Sequence, residues 1–398
     1  MKAVGVVAEY NPFHAGHARM LAELQTLRPE KPTVIALSGD FVQRGEAAVF
    51  SKFARAEAAV RCGASLVLEI PLPWCLSSAE GFARGGVGLL QATGVVDTIS
   101  FGSESGELDT LRECALALNN PSFPEFLRKE LKTGASFASA RRRAVSALAG
   151  EQTACVLDAP NDLLAVEYLR ASAGTGMEFL PIPRTGPAHD GVGSASDLRR
   201  AMAAGEDWLS EIPQEAAQVF LAEITARRGP VLPENLRLPI LSRLREREKQ
   251  DFFAVPDVSE GLENSLWSAS RSETSPERIA MAAKSKRYAL SRLRRAVMAA
   301  ALGVRVGDAA GTPPYIRVLA MDERGTALLA QMRSSARVPV ITKSAHIRKT
   351  NPEAQRIFAL GSRAHDLFVL GYAEEEQQNG GGDLRAAPYI HYREEPAK

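Results

Sequence analysis

Residues 3–27 constrain the fold of this chain more than any other stretch. A short apolar run, Ala3 to Ala8, ends in the polar turn Glu9-Tyr10-Asn11-Pro12. His14 and His17 then flank Ala15-Gly16, ahead of an amphipathic run through Met20, Leu21, Leu24 and Leu27. A continuous apolar run bounded by turn residues fits a strand covered on both faces, and the leucine spacing fits a helix. The reading is strand, tight loop and helix start, with both histidines at the first turn. Free N–H groups and the positive dipole end at such a start attract phosphate, and Gly16 leaves room for its approach. Two imidazoles there can donate hydrogen bonds to a reacting phosphate, where charge builds in the transition state. A lone histidine would more often cap a helix or pack under a loop. The pair at this spacing points to phosphate chemistry.

The same alternation continues to about residue 205. Strand candidates are 3–8, 33–38, 65–70, 98–102 and 178–182. Helix candidates are 17–27, 51–62, 80–92, 108–118, 123–131, 137–149, 162–171 and 196–203. Short apolar strands alternating with helices predict an α/β fold with a Rossmann-like open parallel sheet, whose ligands sit at the carboxyl ends of the strands. Residues 206–310 read as a mainly helical, basic region, with a long helix over 276–302. Residues 311–398 read as a small α/β part with strands at 315–321 and 338–342, a helix over 351–370 and a flexible Gly-rich tail.

A chain of 398 residues is expected to form two or three domains. The net charge of +1 means that a polyanion must be met by a local patch. Cys62, Cys75, Cys114 and Cys155 form no Cys-x-x-Cys pair, which argues against a zinc site or disulfide framework and fits a reducing cytoplasm. The N-terminus does not read as a signal peptide, and no apolar run reaches the roughly 18 residues of a membrane span.

Polar clusters follow the strand candidates. Ser38 to Glu46 holds Asp40, Gln43 and Arg44, and Lys52 and Arg55 sit three residues apart on the next helix; these could wall a phosphate or a second substrate, or form a solvated surface. Ser100-Phe101-Gly102-Ser103-Glu104 places a glycine at a strand end, suited to a base, a ribose or a plain turn. Ala159-Pro160-Asn161-Asp162 opens a helix by ordinary capping chemistry. Arg184, with Thr185, His189 and Asp190 beyond it, is placed for bidentate phosphate contact. Ser194 or Ser196 caps another helix start, with Arg199 or Arg200 one turn in. Lys284, Lys286, Arg287, Arg292, Arg294 and Arg295 occur without an acidic residue between Ile279 and Gly303. On one continuous helix Lys284, Arg287, Arg294 and Arg295 share a face, which suggests contact with RNA phosphates, while Tyr288 could stack on a base or join the core.

The His14-Ala15-Gly16-His17 string is the H-x-G-H arrangement of the nucleotidyltransferase superfamily. Gly5 through His17 resembles the opening of the bacterial tRNA(Met) cytidine acetate ligases. Ser38–Glu46, Ser100–Glu104, Pro160–Asp162 and Pro183-Arg184-Thr185 match further stretches of that family in order, and Glu260–Asn264 and Lys286–Arg292 extend the match. The resemblance implies a two-step ligase in which acetate attacks ATP, giving acetyl-adenylate and pyrophosphate. The wobble cytidine of elongator tRNA(Met) then takes the acetyl group on N4. It implies ATP contacts at Val7, Ala8, Glu9, Tyr10, Asn11, Pro12, Phe13, His14, Ala15, Gly16, His17, Ala18, Arg19 and Met20, and at Gly102, Asn161 and Arg184. His14 and His17 would be the catalytic pair, supported around the phosphate or acetate by Asp40, Gln43, Arg44, Lys52, Ser194, Ser196 and Arg199. ATP is expected to arrive with Mg2+; no metal ligand set is visible and no tightly bound cofactor is expected. Asp40 stands where the family pattern has asparagine, an acid near the expected anion site. Two other readings compete: a small-molecule adenylyltransferase, which leaves the second half without a task, and a non-catalytic RNA-binding protein on the same fold.

Overall fold

A computed structural model describes residues 1–184, 193–259, 261–286 and 288–392. Strands β1 (Ala3–Ala8), β2 (Thr33–Ser38), β5 (Leu66–Ile70), β6 (Val96–Ser103) and β7 (Glu178–Pro183) pair in parallel, in the order β5-β2-β1-β6-β7. The chain winds from β1 through β2 to β5 on one side and through β6 to β7 on the other. The strand order therefore reverses between β1 and β6, which opens a crevice beyond their carboxyl ends. The histidine loop follows β1, and Gly102 lies near the end of β6.

Alternate residues along each strand serve opposite faces. Val34 and Ala36 join one buried cluster, and Ile35 and Leu37 join the other. Helices cover both, which explains the uninterrupted apolar runs. The helix Ala79–Ala92 lies so close to β1 that a Cβ on Gly86 would meet Val7 Cγ1 at 2.6 Å. The segment after β2 reads from its sequence as a phosphate wall or a solvated surface. It folds into a small antiparallel hairpin of β3 (Phe41–Val42) and β4 (Glu46–Ala47).

Two expectations are corrected. Residues 311–398 do not stand apart as a small α/β part: β8 (Ile316–Met321) pairs antiparallel with β5, and β9 (Val340–Ile341) and β10 (Tyr389–Ile390) pair with β8, extending the first sheet. The long helix over 276–302 is two helices, Pro276–Ala282 and Leu290–Leu302, which pack on each other. Lys284 falls in the break, outside both helices, while Ile279 and Leu293 are both buried. The shared face drawn from Lys284 to Arg295 therefore does not exist.

The C-terminal elements are tied down by buried charges. Lys52, only 1% exposed, opens α2 (Lys52–Arg61) and sends Nζ to Glu69 Oε1 at 2.7 Å and Asp383 Oδ1 at 2.6 Å. Arg317 Nη1 meets Asp383 Oδ2 at 2.8 Å and Glu69 Oε2 at 3.2 Å, and Ser362 Oγ donates to Asp383 Oδ2 at 2.7 Å. Asp40 Oδ1 accepts the Lys52 N–H at 2.8 Å, while Oδ2 pairs with His365 Nδ1 at 2.9 Å. Lys52 and Asp40, expected beside an incoming anion, have their charges committed here. Burial alone would raise the Asp40 carboxyl, but His365 and Lys52 outweigh it and bring it down to about 2.

A carboxylate depressed by folding adds stability that is present above its ordinary range and lost as pH falls through its folded value. Asp40→Asn is expected to cost about 2 kcal/mol at pH 7 and to flatten the fall in stability between about pH 4 and pH 2. Urea denaturation over a pH series measures both, and an unaltered acid limb would remove Asp40 from the account.

Candidate active site

A single buried guanidinium shapes the entrance to the crevice. Arg55, on α2, donates from Nε to Phe50 O at 2.9 Å, from Nη1 to Glu9 O at 2.5 Å, and from Nη2 to Ser38 O at 3.1 Å and to Gly39 O. These carbonyls lie at the ends of β1 and β2 and just before α2. Arg55 therefore holds the loop walls rather than facing phosphate as its sequence position suggested. Asn11 Oδ1 accepts the Val49 N–H at 2.8 Å, and Asn11 O accepts Arg199 Nη1 at 2.7 Å. Between them Tyr10 takes a left-handed φ of 48°, uncommon for a bulky residue, with its ring buried against Phe13 and His17.

The loop delivers the histidines to α1 (Ala15–Leu27). His14 is the N-cap, and its Nδ1 accepts the Gly16 N–H at 3.1 Å. His17 sits three residues on, and its Nδ1 accepts the His14 N–H at 3.2 Å. This is a capping box built from two imidazoles, which accounts for their spacing. With Nδ1 of each ring accepting, the neutral tautomer carries its proton on Nε2. The rings lie 3.8 Å apart between centroids. Burial, reinforced by the Arg184 charge, lowers His14 to about 4. His17 is held well below its ordinary value by burial, then by His14 and Arg184. Two neutral N–H donors thus stand side by side at a helix start, an arrangement suited to phosphate oxygens.

Other expected residues converge on the same end of the sheet. Gly102 pairs with Ile182 across β6 and β7, so a Cβ on Gly102 would lie 3.4 Å from Arg184 Cγ. The Arg184 N–H donates to Ser103 O at 2.9 Å. Ser194 caps the helix Ala195–Ala204 by accepting the Asp197 N–H at 3.2 Å. Arg199, on that helix, reaches back to Asn11 and to Glu46 Oε1 at 3.4 Å. Ser196 Oγ lies 3.4 Å from Arg199 Nη2. The Gln43 N–H donates to Glu9 Oε1 at 2.7 Å, fixing the β3–β4 hairpin against the end of β1. Burial raises the Glu9 carboxyl, and Arg44 and Arg199 oppose that rise.

The basic residues of the second half divide. Arg294 makes a two-pronged contact with Glu277 at 2.7 and 2.6 Å. Arg295 is only 8% exposed and meets Asp257 Oδ2 at 3.2 Å. Arg292 donates to Asp257 O at 2.8 Å and lies over the Tyr288 ring, whose hydroxyl donates to Ser259 O at 3.1 Å. These groups hold the helices together, while Lys284 and Lys286 lie exposed on the turn between them. Thr185, His189, Asp190, Glu260 and Arg287 lie outside the described residues. Gly45, at φ 81°, sits where a Cβ would come within 2.5 Å of Arg295 N, so the β3–β4 hairpin is pressed between the histidine loop and the start of the Leu290–Leu302 helix.

Sequence reasoning missed the partners of Glu104 and Asp162. Asp162 reads as a cap of its own helix, Pro160–Ala171. Its carboxylate instead accepts Ser103 Oγ at 2.5 Å and the N–H groups of Glu104 and Ser105 at 3.0 Å. No local signal announces a cap given across so long a stretch of chain.

The model of the family described as HIGH Nucleotidyl Transferase matches residues 1–383. The tRNA(Met) cytidine acetate ligase of Alkaliphilus metalliredigens is 32% identical over 99% of this chain and 100% of its own, and that of Thermotoga petrophila is 35% identical over 96% and 98%. This chain belongs to the tRNA(Met) cytidine acetate ligase family. The crystal structure of Thermotoga maritima TmcAL without ligand superposes with a TM-score of 0.93 at 32% identity, covering 99% of this chain and 100% of that one. The same protein bound with alpha-thio ATP gives 0.91 at 33% identity, with the same coverage. Family membership agrees with the fold class expected from the strand–helix alternation, and with the resemblance carried by the H-x-G-H loop.

Because folding lowers both imidazoles, the free protein should show His14 neutral from pH 8 down to about 5, titrating toward about 4. The corresponding stability is present above the ordinary histidine range and lost as pH falls toward that value. ATP, by placing phosphate charge at the rings, should raise both midpoints. Imidazole NMR titration with and without nucleotide checks this, and ordinary midpoints in the free protein would refute it.

Proposed function

We propose that this chain activates acetate with ATP and transfers the acetyl group to N4 of the wobble cytidine of elongator tRNA(Met). The observation that carries the reading is the imidazole capping box at the switch point of the sheet, in a chain that matches the acetate ligases along nearly its whole length. Attack on the α-phosphate by a carboxylate needs no protein nucleophile. It needs alignment and a home for the charge that develops on the phosphate oxygens. His14 and His17 offer Nε2–H donors, the start of α1 adds its dipole, and Arg184 adds a fixed positive charge. One acetate oxygen forms the new bond to phosphorus as the bond to the bridging oxygen of pyrophosphate breaks. The cytidine amine then attacks the acetyl carbonyl, loses a proton and expels AMP. Magnesium would come as the counter-ion of the ATP phosphates. Leaving the anticodon stack is affordable for a loop base.

On this reading Ser194, Ser196 and Arg199 back the phosphates from the second helix start, and Gln43 and Arg44 wall the side nearest β2. Gly102 and Asn161 receive the nucleoside side. Among the described cations of the basic stretch 284–295, Lys284 and Lys286 are the exposed ones, free to meet RNA phosphates on this reading. No helix among the described residues is long and apolar enough to cross a membrane, and the reaction belongs with tRNA in the cytoplasm.

Incubation with ATP, labelled acetate and bulk tRNA should place acid-stable label on cytidine. AMP transfer to a small metabolite with no labelled tRNA would overturn the reading. His14→Ala and His17→Ala should each lower acetate-dependent ATP–pyrophosphate exchange by at least about a hundredfold while tRNA binding persists. The double substitution of Lys284 and Lys286 by glutamate should weaken tRNA binding and flatten its dependence on salt; an unchanged slope would take this turn out of the RNA interface.

A further inference from the structure

The proposed ATP contacts outside the histidine loop come from three segments that meet only in the folded chain. Gly102 is next to last in β6, Asn161 lies in the first turn of the Pro160–Ala171 helix and Arg184 follows β7. What joins the first two is an exchange of caps. Asp162, 2% exposed, occupies the first turn of its helix, where a carboxylate ordinarily serves the helix's own N–H groups. Here it is spent on the other segment: Oδ1 accepts Ser103 Oγ and the Glu104 N–H, and Oδ2 accepts the Ser105 N–H. Ser103 Oγ in turn accepts the Gly106 N–H at 2.8 Å. The helix's own amides are served from across the gap. Glu104 accepts the N–H groups of Asn161 at 3.3 Å and Asp162 at 3.0 Å, and the Asn161 side-chain amide at 2.6 Å. Each carboxylate caps the other's segment, through charge-assisted bonds that are short and directional.

Arg184 meets this unit through its main-chain N–H to Ser103 O, and none of these bonds holds its side chain. None of these bonds involves residues 9–20, where the phosphate-directed groups lie. We propose that Glu104 and Asp162 are a pair of positioning residues that set the spacing of Gly102 and Asn161. They thereby govern how tightly ATP is held and leave the attack on its α-phosphate to the histidine loop. This inference rests on the ATP reading given above.

The variants Asp162→Asn and Glu104→Gln keep side-chain size but turn one acceptor of each carboxylate into a donor facing an N–H. Glu104 is exposed, so its variant carries the test even if the buried change hinders folding. In the full-length protein, equilibrium dialysis with a non-hydrolysable ATP analogue gives Kd, and acetate-dependent ATP–pyrophosphate exchange gives KM and kcat. Each variant is expected to raise Kd and KM for ATP about tenfold with kcat changed no more than about twofold. The double variant should be no weaker than about the worse single one, because the exchange acts as a unit. A purely structural role would lower Tm and leave ATP affinity unchanged, which overturns the inference. So would fully multiplicative losses in the double variant, or equal falls in kcat and kcat/KM. Wild-type protein that binds no ATP overturns the ligase reading and this inference with it, whereas wild-type binding shared by the variants overturns the inference alone.

Discussion

Arg55 gathers four backbone carbonyls at one buried point, and the histidine loop exists in its present shape because of it. Carbonyls at the ends of parallel strands have no partner within the sheet, and burying them without one would cost of order a few kcal/mol. A guanidinium can satisfy several at once because its donors fan out in a plane. Its own burial lowers it to about 10, so it stays charged at neutral pH. With the ends of β1 and β2 held this way, Tyr10 and Asn11 can turn sharply and present His14 as a helix cap.

The histidine pair shows how a structural need and a chemical one can share the same atoms. As caps, both rings must accept through Nδ1, which forces the remaining proton onto Nε2. In the phosphate-binding role proposed for them, they would have to be donors that do not compete as bases. Burial keeps them neutral, so the site offers oriented dipoles, with the positive charge left to Arg184 and the helix start. Neutral donors suit a reaction in which pyrophosphate and later AMP must depart, because a fixed cation at each position would hold the products as well as the transition state.

Legibility in the sequence followed distance along the chain. The strand, the loop and the capped helix of residues 3–27 are local events, so alternation and spacing were enough to read them. The apolar run at 316–321 was visible as a strand, but apolarity carries neither direction nor partner, and its antiparallel place beside β5 could not be read. The chain from 276 to 302 has no glycine, and Pro276 is its only proline, at the start, so nothing marked the break between its helices. For Lys52, Asp40, Arg294 and Arg295 the sequence showed the charge and not the counter-charge. Asp383 and His365 lie hundreds of positions from Lys52 and Asp40, the residues they meet, and Glu277, in the first turn of its helix, and Asp257, in a turn, make pairings with no local signature. The Asp162 and Glu104 exchange was hidden for the same reason.

The antiparallel entry of β8 bears on how the protein comes into being. During synthesis the first five sheet strands emerge before residue 200, yet β5 then presents a bare edge, and Glu69 and Lys52 lie beneath it short of their full set of counter-charges. Both Arg317 and Asp383 must leave the ribosome before that network of ion pairs is complete and the edge is covered. The wall of the crevice that contains Asp40 and α2 is thus completed by residues far downstream in the chain. A nascent protein carrying the whole histidine loop would still lack a settled site, so the machinery for consuming ATP matures only when the second half is in place.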